Sequence, residues 1–116
     1  FDLSTTFALR RFLKNNKTKH RILVSSFNPL IVFLSRWLIS SARTGFLFES
    51  ANMKKWINFC HPDTVHPRID FLDEDIIKRC KSKNLPINVW TVNSELSIEK
   101  CKNLGVHGII TDLEKI

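Results

Sequence analysis

Ile87-Asn88-Val89-Trp90-Thr91-Val92-Asn93 decides the fold, and it directly follows Asn84-Leu85-Pro86. Its β-branched and aromatic residues, with a proline before them and a Ser94-Glu95 helix start behind, predict a buried strand. It is apolar on both faces, as is usual for parallel strands that helices cover. Trp90, Thr91 and Asn93 lie at its C-terminal end, which is where α/β folds place their ligands.

Short strands and helices alternate along the rest of the chain. The dipeptides Asn-Gly and Asp-Gly, which mark tight hairpins, are absent from the sequence, so the connections favour right-handed crossovers and a parallel sheet. Caps are predicted at Asn28, Asp73 and Ser94, and helix ends at Asn84 and Gly105. The predicted strands are Ile22–Ser25, Gly45–Phe48, Thr64–His66, Ile87–Asn93 and Gly108–Thr111. The predicted helices are Thr5–Asn15, Leu30 to about Ser40, one with a Met53, Trp56, Ile57, Cys60 stripe, Asp73–Ser82 and Ser94–Leu104.

Length and cysteine content limit the class of protein. A chain of 116 residues is one domain or part of one. It has no apolar run of the roughly 20 residues needed to cross a bilayer. Cys60, Cys80 and Cys101 are odd in number and lack paired spacing, which favours buried thiols and a cytoplasmic or other reducing compartment.

The formal net charge of +7 raises the question of an anionic partner. The basic residues are dispersed on the polar faces of predicted helices, without interleaved aromatic residues. This pattern favours a solvated outer surface and no nucleic-acid partner. The residues concerned are Arg10, Arg11, Lys14, Lys17, Lys19, Arg21, Lys78, Arg79, Lys81 and Lys83.

The helix predicted after Pro29 is apolar nearly all round, which is typical of a buried helix. An alternative is that residues 30–40 contact a partner or the surface of a membrane. Its length excludes only that it spans one.

Five motifs in series resemble the C-terminal half of the glycerophosphodiester phosphodiesterase domain. Each is separated from the next by about the length of a helix, and together they cover nearly the whole chain, 1–116. The motifs are Val24-Ser25-Ser26-Phe27-Asn28-Pro29, Gly45-Phe46-Leu47-Phe48, Val65-His66-Pro67, Val89-Trp90-Thr91-Val92-Asn93 and Gly105-Val106-His107-Gly108-Ile109-Ile110-Thr111-Asp112.

The resemblance implies an α/β fold in which parallel β/α units form the C-terminal part of a TIM (β/α)8 barrel, incomplete in this chain. It also implies an enzyme of lipid metabolism that hydrolyses glycerophosphodiesters to glycerol 3-phosphate and an alcohol, with calcium or magnesium. The family's His-Arg-Gly motif, which provides a catalytic histidine, has no counterpart in this sequence, nor do its Glu-x-Asp pair and other metal-binding carboxylates. No catalytic or metal-binding residue is therefore assigned to this chain, and no metal is expected to bind it alone.

Trp90 and Phe27 are the candidate substrate-binding residues. The resemblance implies that the Trp90 ring packs on the glycerol or alcohol group, and core packing is an equal alternative. For Phe27, core packing is the favoured interpretation. For His66, a structural role is favoured over a hydrogen bond to a phosphate. Helix capping or loop anchoring is favoured for Glu49 and Asp112.

Two further expectations concern metal and assembly. Cys60, His61 and Asp63, followed by His66, have one thiol and a proline between ligands, which is poor spacing for zinc. An incomplete barrel has two open sheet edges, so we expect either a complementing N-terminal half or self-association. A catalytically inactive barrel remnant that serves in binding or assembly is the alternative to an enzyme part.

Overall fold

The computed structural model describes residues 4–15, 22–39 and 41–114. Strands and helices alternate through these ranges, as the sequence predicts. The strands are β1 (Leu23–Ser26), β2 (Arg43–Phe48), β3 (Thr64–Pro67), β4 (Asn88–Val89) and β5 (Gly108–Ile109). The helices are α1 (Ser4–Asn15), α2 (Pro29–Leu38), α3 (Ile57–Cys60), α4 (Glu74–Ser82) and α5 (Glu95–Leu104), with 3-10 helices at Ala51–Trp56 and Ile69–Phe71.

All pairings between the described strands are parallel. Strands β1, β2 and β3 pair in that order, with Ser25 opposite Gly45 and Gly45 opposite Thr64. Strand β4 pairs with β5. Single bridges from Val65 to Ile87 and from Arg68 to Trp90 connect β3 to the β4 segment. The prediction of a parallel α/β fold is therefore confirmed.

The core lies between one face of these strands and the helices. Phe46, Phe48, Val65 and Val89 are fully buried there. Helices α2, α3, α4 and α5 add buried residues to the same cluster, among them Val32, Ile57, Cys60, Ile76, Ile77, Cys80 and Cys101. Because successive residues of a strand point to opposite faces, Gly45, Thr64 and His66 lie on the other face. A Cβ atom at Gly45 would lie 3.0 Å from His66 Nε2, so glycine leaves room for the imidazole.

The predicted helix caps are formed. The Asn28 side chain accepts a hydrogen bond from the Leu30 N–H, and Asp73 accepts one from the Ile76 N–H. Ser94 and Ser97 form a reciprocal capping box. Asn84 adopts the left-handed conformation (φ 55°) that ends α4. Short-range hydrogen-bonding chemistry thus sets these boundaries, which is why the sequence alone predicts them.

The segment before α3 differs from the prediction. Residues 51–56 form a 3-10 helix, and only Ile57–Cys60 is α-helical. The tighter winding changes the direction in which side chains leave the helix axis. Ile57 and Cys60 are buried as predicted, whereas Trp56 is 39% exposed. The side chain of Met53 lies outside the described residues.

Helix α2 is only partly buried, although its sequence favours burial. Val32 and Ser35 are inaccessible to solvent, whereas Trp37 is 69% exposed. Among the described helices, none combines the length and apolarity needed to cross a membrane. The alternative that residues 30–40 contact a partner or a membrane surface remains a prediction at this stage.

The three cysteines are buried and unpaired. Burial raises the pKa of the Cys60 thiol to about 12 and that of Cys80 to about 11. These thiols are therefore protonated at neutral pH and pack as small apolar groups. The reducing compartment inferred from the cysteine pattern stays a prediction.

Candidate functional site

An aromatic pair lies where the C-terminal ends of the strands converge. The rings of Phe27, just after β1, and Trp90, just after β4, meet edge to face with centroids 5.7 Å apart. The Trp90 Nε1–H donates a hydrogen bond of 2.7 Å to the backbone oxygen of His66 on β3. Two contacts thus fix the indole, one on each side. The two long side chains thus connect the ends of the first and fourth strands.

Phe27 is the clearest correction to the sequence-based assignment. Core packing is favoured for this residue from sequence, but its side chain is 43% exposed. Asn28 and Pro29 begin α2 immediately after it, so Phe27 lies in the turn above the sheet. It contacts Trp90 there and leaves part of both rings accessible, which is the arrangement expected of a binding surface.

A polar network joins the ends of β4 and β5 beside the aromatic pair. Asn93 Oδ1 accepts hydrogen bonds of 2.9 Å from both the Thr111 hydroxyl and the Asp112 N–H. Asn93 Nδ2 donates to Asp112 Oδ2 at 3.3 Å. The predicted anchoring role of Asp112 is confirmed. Glu49 is exposed, and Ser50 holds the N-cap position of the next helix, so Glu49 is not the cap, and the alternative role of loop anchor stays a prediction.

Arg68 is a candidate site residue that the sequence analysis did not identify. It follows β3, bridges to Trp90 in the sheet, and is 45% exposed. Its guanidinium contacts Asp70 Oδ2 at 2.8 Å, which restrains the side chain. The sequence does contain one indication of this role. Arg68 comes two residues after His66, and alternate residues of a strand share a face. This arrangement places a cation at the same end of the sheet as the aromatic pair.

His66 has the structural role favoured from sequence. Its side chain is buried, and its Nε2 lies 2.8 Å from the Thr64 hydroxyl. Burial lowers the pKa of His66 below its ordinary value, because a charged imidazole would lose its hydration. The ring is therefore neutral in the folded protein at neutral pH.

The residues at the strand ends do not fit a divalent metal. Calcium and magnesium prefer several oxygen ligands around one point. Asp112 is already engaged by Asn93, and within the described ranges no three His, Cys, Asp or Glu residues come close enough to hold an ion. The Cys60 to His66 cluster is also divided: Asp63 binds Thr44 and Arg36, whereas His66 binds Thr64.

These features define a class. Parallel strands joined by helices, with aromatic and polar side chains at the C-terminal ends of the strands, place the site where β/α-barrel enzymes have theirs. The sequence profile of the Glycerophosphoryl diester phosphodiesterase family matches residues 2–113, and the chain belongs to that family.

Individual relatives agree with this assignment. A glycerophosphodiester phosphodiesterase of Caldanaerobacter subterraneus is 24% identical over 106 residues, which cover 90% of this chain and 44% of that protein. A solved glycerophosphodiester phosphodiesterase of Parabacteroides distasonis has a TM-score of 0.76 at 24% identity, with 93% of this chain and 46% of that chain covered. An Oleispira antarctica phosphodiesterase, solved with the product sn-glycerol-3-phosphate, has a TM-score of 0.77 at 20% identity, with 93% and 45% covered. The chain thus spans less than half the length of each of these relatives.

The burial of neutral His66 predicts a pH dependence of stability. Because its folded pKa lies below the unfolded value of 6.5, the unfolded state binds more protons as the pH falls through that value. We expect the free energy of unfolding in urea to decrease between about pH 7 and about pH 5.5.

His66→Gln is the matched variant, since its amide can still meet the Thr64 hydroxyl but does not titrate. It should show a clearly smaller decrease over the same range. An equal decrease in both proteins would mean that other groups cause the effect.

Proposed function

We propose that this chain forms the C-terminal part of a glycerophosphodiester phosphodiesterase barrel and lines its substrate cleft. The completed enzyme hydrolyses a glycerophosphodiester to glycerol 3-phosphate and an alcohol. The observation that carries the proposal is the Phe27–Trp90 pair at the C-terminal ends of the strands, in a chain that belongs to this family.

The aromatic pair provides a surface for the apolar parts of the substrate. The hydrogen bond to His66 holds the Trp90 indole in place, and the edge of Phe27 packs beside it. A rigid ring buries carbon-bound hydrogens of a glycerol or alcohol group at little entropic cost. The contact between the rings and the apolar part of the substrate positions the diester, although the rings carry no charge.

Arg68 supports recognition of the phosphate. A guanidinium presents several N–H donors in a plane, which suits phosphate oxygens. Asp70 restrains Arg68 from one side, so less side-chain freedom is lost on binding. The cation and the aromatic pair together match a ligand with one anionic and one apolar portion.

The catalytic groups belong to the rest of the barrel. A divalent metal, calcium or magnesium, supplies charge neutralisation at the phosphoryl oxygens in a diesterase of this kind. The strand-end residues of this chain do not fit such an ion, so its ligands must come from other strands. The role of this chain is to bind and orient the substrate.

The sheet edges favour completion by further strands. Within the described residues, β1 pairs only with β2, and β5 only with β4. Large apolar side chains at these edges are partly exposed: Leu23 by 47%, Ile110 by 44% and Leu113 by 41%. Covering them requires the remaining barrel strands, in the same or a separate polypeptide, or self-association.

Reconstitution tests the proposal directly. Strands that carry the family's His-Arg-Gly and Glu-x-Asp motifs, added in trans or fused to this chain, should give metal-dependent release of glycerol 3-phosphate from glycerophosphocholine. This chain alone should give none. If the two parts associate into a folded complex that remains inactive, the chain is instead an inactive remnant that serves in binding or assembly.

Phe27→Ala tests the aromatic pair in the reconstituted enzyme. Removing this ring takes away one side of the cleft and frees Trp90, so KM for glycerophosphocholine should rise about tenfold. Phe7→Ala is the matched control, since Phe7 is 45% exposed on α1, close to the 43% of Phe27. Equal KM values for both variants would exclude a cleft role for Phe27.

Arg68→Ala tests phosphate recognition. Loss of a charge-assisted contact should raise KM by roughly tenfold or more, with little change in thermal stability because the Arg68–Asp70 pair is exposed. Arg79→Ala is the control, because Arg79 is 46% exposed and pairs with Asp75 at 3.1 Å on the outer face of α4. If Arg68→Ala leaves KM unchanged, Arg68 does not bind the phosphate, and its role is limited to the ion pair with Asp70.

A further inference from the structure

The positive charge of the chain is concentrated in its first 48 residues. Residues 3–48 contain eight lysines and arginines and no carboxylate, whereas residues 49–116 contain ten basic and ten acidic residues. The interpretation of the basic residues as dispersed considers only their own spacing. It does not consider that the acidic residues lie almost entirely after residue 48.

The described helices fall into two groups according to their charged residues. Helix α1, helix α2 and the 51–60 segment carry six basic residues and no acidic one. Helices α4 and α5 carry both signs, and Arg79 pairs with Asp75 within α4. Mixed charge is typical of an ordinary solvated helix surface. The first three segments are therefore unusual.

Exposed apolar side chains follow the same division. On α1, α2 and 51–60 they are numerous, whereas on α4 and α5 Leu96 is the one large exposed apolar residue among those described. Phe27, Leu23, Ile110 and Leu113 lie at strand ends or sheet edges, where the rest of the barrel accounts for them. The exposed residues on the first three segments are Phe7, Phe12, Leu30, Trp37, Trp56 and Phe59.

Four rings form a continuous cluster across α2 and the 51–60 segment. The Phe33 ring stacks on Phe59 at 5.4 Å and meets Trp37 edge to face at 6.4 Å. Trp56 contacts Phe59 at 5.8 Å, and Lys55 Nζ lies 5.4 Å from the centroid of the Trp56 ring. We call Phe33, Trp37, Trp56 and Phe59 the outer aromatic cluster. Trp37 is its most exposed member.

We propose that the outer aromatic cluster and the basic residues around it bind the surface of an anionic lipid bilayer. Tryptophan and phenylalanine side chains enter the interface between headgroups and acyl chains, where an apolar ring with a polar edge is stable. Lysines and arginines at the rim attract anionic headgroups. Arg36 and Lys54 already pair with Asp63 and Asp73 of neighbouring segments. We therefore assign the attraction for headgroups to Arg10, Arg11, Lys14 and Lys55.

The position of the charges favours a bilayer over a nucleic acid. The cation within α2, Arg36, is engaged by the His61 carbonyl at 2.8 Å and by Asp63 at 3.4 Å. The exposed cations Arg10, Arg11 and Lys14 belong to α1, which packs beside α2. With Lys55 over Trp56, this gives an apolar cluster that has cations to one side of it, which suits lipid, whereas a phosphate backbone requires cations along its path.

This surface is independent of the proposed substrate cleft. The cleft residues lie at the ends of the strands, whereas the outer aromatic cluster lies on helices and the segment before α3. Lipid binding by the chain can therefore be measured without reconstituting the enzyme.

Vesicle sedimentation tests the proposal with the 116-residue chain. Vesicles of phosphatidylcholine with roughly 30% phosphatidylserine should bind the chain, and pure phosphatidylcholine vesicles should bind it far more weakly. Binding should fall as NaCl rises from about 50 to about 300 mM, because salt screens surface charges. Trp37→Ser, and separately Arg10→Glu with Arg11→Glu, should each weaken binding about tenfold.

Leu96→Ser is the matched control, since it removes an 84% exposed apolar side chain from α5. It should leave vesicle binding unchanged, and circular dichroism should show that every variant is folded. The proposal is overturned if anionic vesicles do not bind, or if Leu96→Ser weakens binding as much as Trp37→Ser. It is also overturned if single-stranded RNA binds more tightly than the vesicles and Trp37→Ser does not affect the vesicle binding.

Discussion

The fixed position of Trp90 is the constraint on which the site depends. Its indole N–H is bound to the His66 carbonyl on β3, and its ring meets Phe27 at the end of β1. Between β1 and the β4 segment lie β2 and β3. A flat sheet would separate strands three places apart by roughly 14 Å, at about 4.8 Å for each pairing. The long Trp90 and Phe27 side chains cover most of this separation, so their contact at 5.7 Å joins the ends of strands that are three places apart.

The similarity of the fold to solved family structures indicates a sheet curved as in a β/α barrel, and this curvature explains why one face carries small and polar residues. On the concave face of a curved sheet, side chains from different strands converge and space is limited. Gly45 lies against His66 and Thr64, and Gly108 lies against the Asn88 side chain. Large residues such as Phe46 and Phe48 point instead to the helix-covered face, where there is room for them. The hydrogen bond between His66 and Thr64 satisfies both buried polar groups in the concave interior.

Local chemistry made much of the fold predictable from the sequence. The helix ends depend on contacts within three or four residues, so a short stretch of sequence is enough to predict them. These ends are the caps at Asn28, Asp73 and Ser94 and the left-handed Asn84. The helix predicted from the Met53, Trp56, Ile57, Cys60 stripe is α-helical only from Ile57, because whether a turn winds as 3-10 or α depends on packing beyond the segment. Phe27 was misassigned because its exposure depends on the turn that places it above the sheet. The position of Arg68 and the choice of Asn93 as the partner of Asp112 were not predicted, because both depend on the register between strands, which no single segment contains.

The strand ends and the outer faces of the helices differ in chemistry because the fold holds them in place in different ways. Strand ends are fixed by backbone pairing, so residues there can be placed accurately enough to meet a small molecule. Outer helices are fixed through their buried faces, which leaves their outer faces free to vary in composition. Helices α4 and α5 use that freedom for mixed charges. Helix α2 instead presents Trp37 to solvent although its buried face already supplies Val32 and Ser35 to the interior. Burial in this fold does not require an exposed tryptophan at this position, and Trp37 therefore belongs to the surface that we propose binds a bilayer.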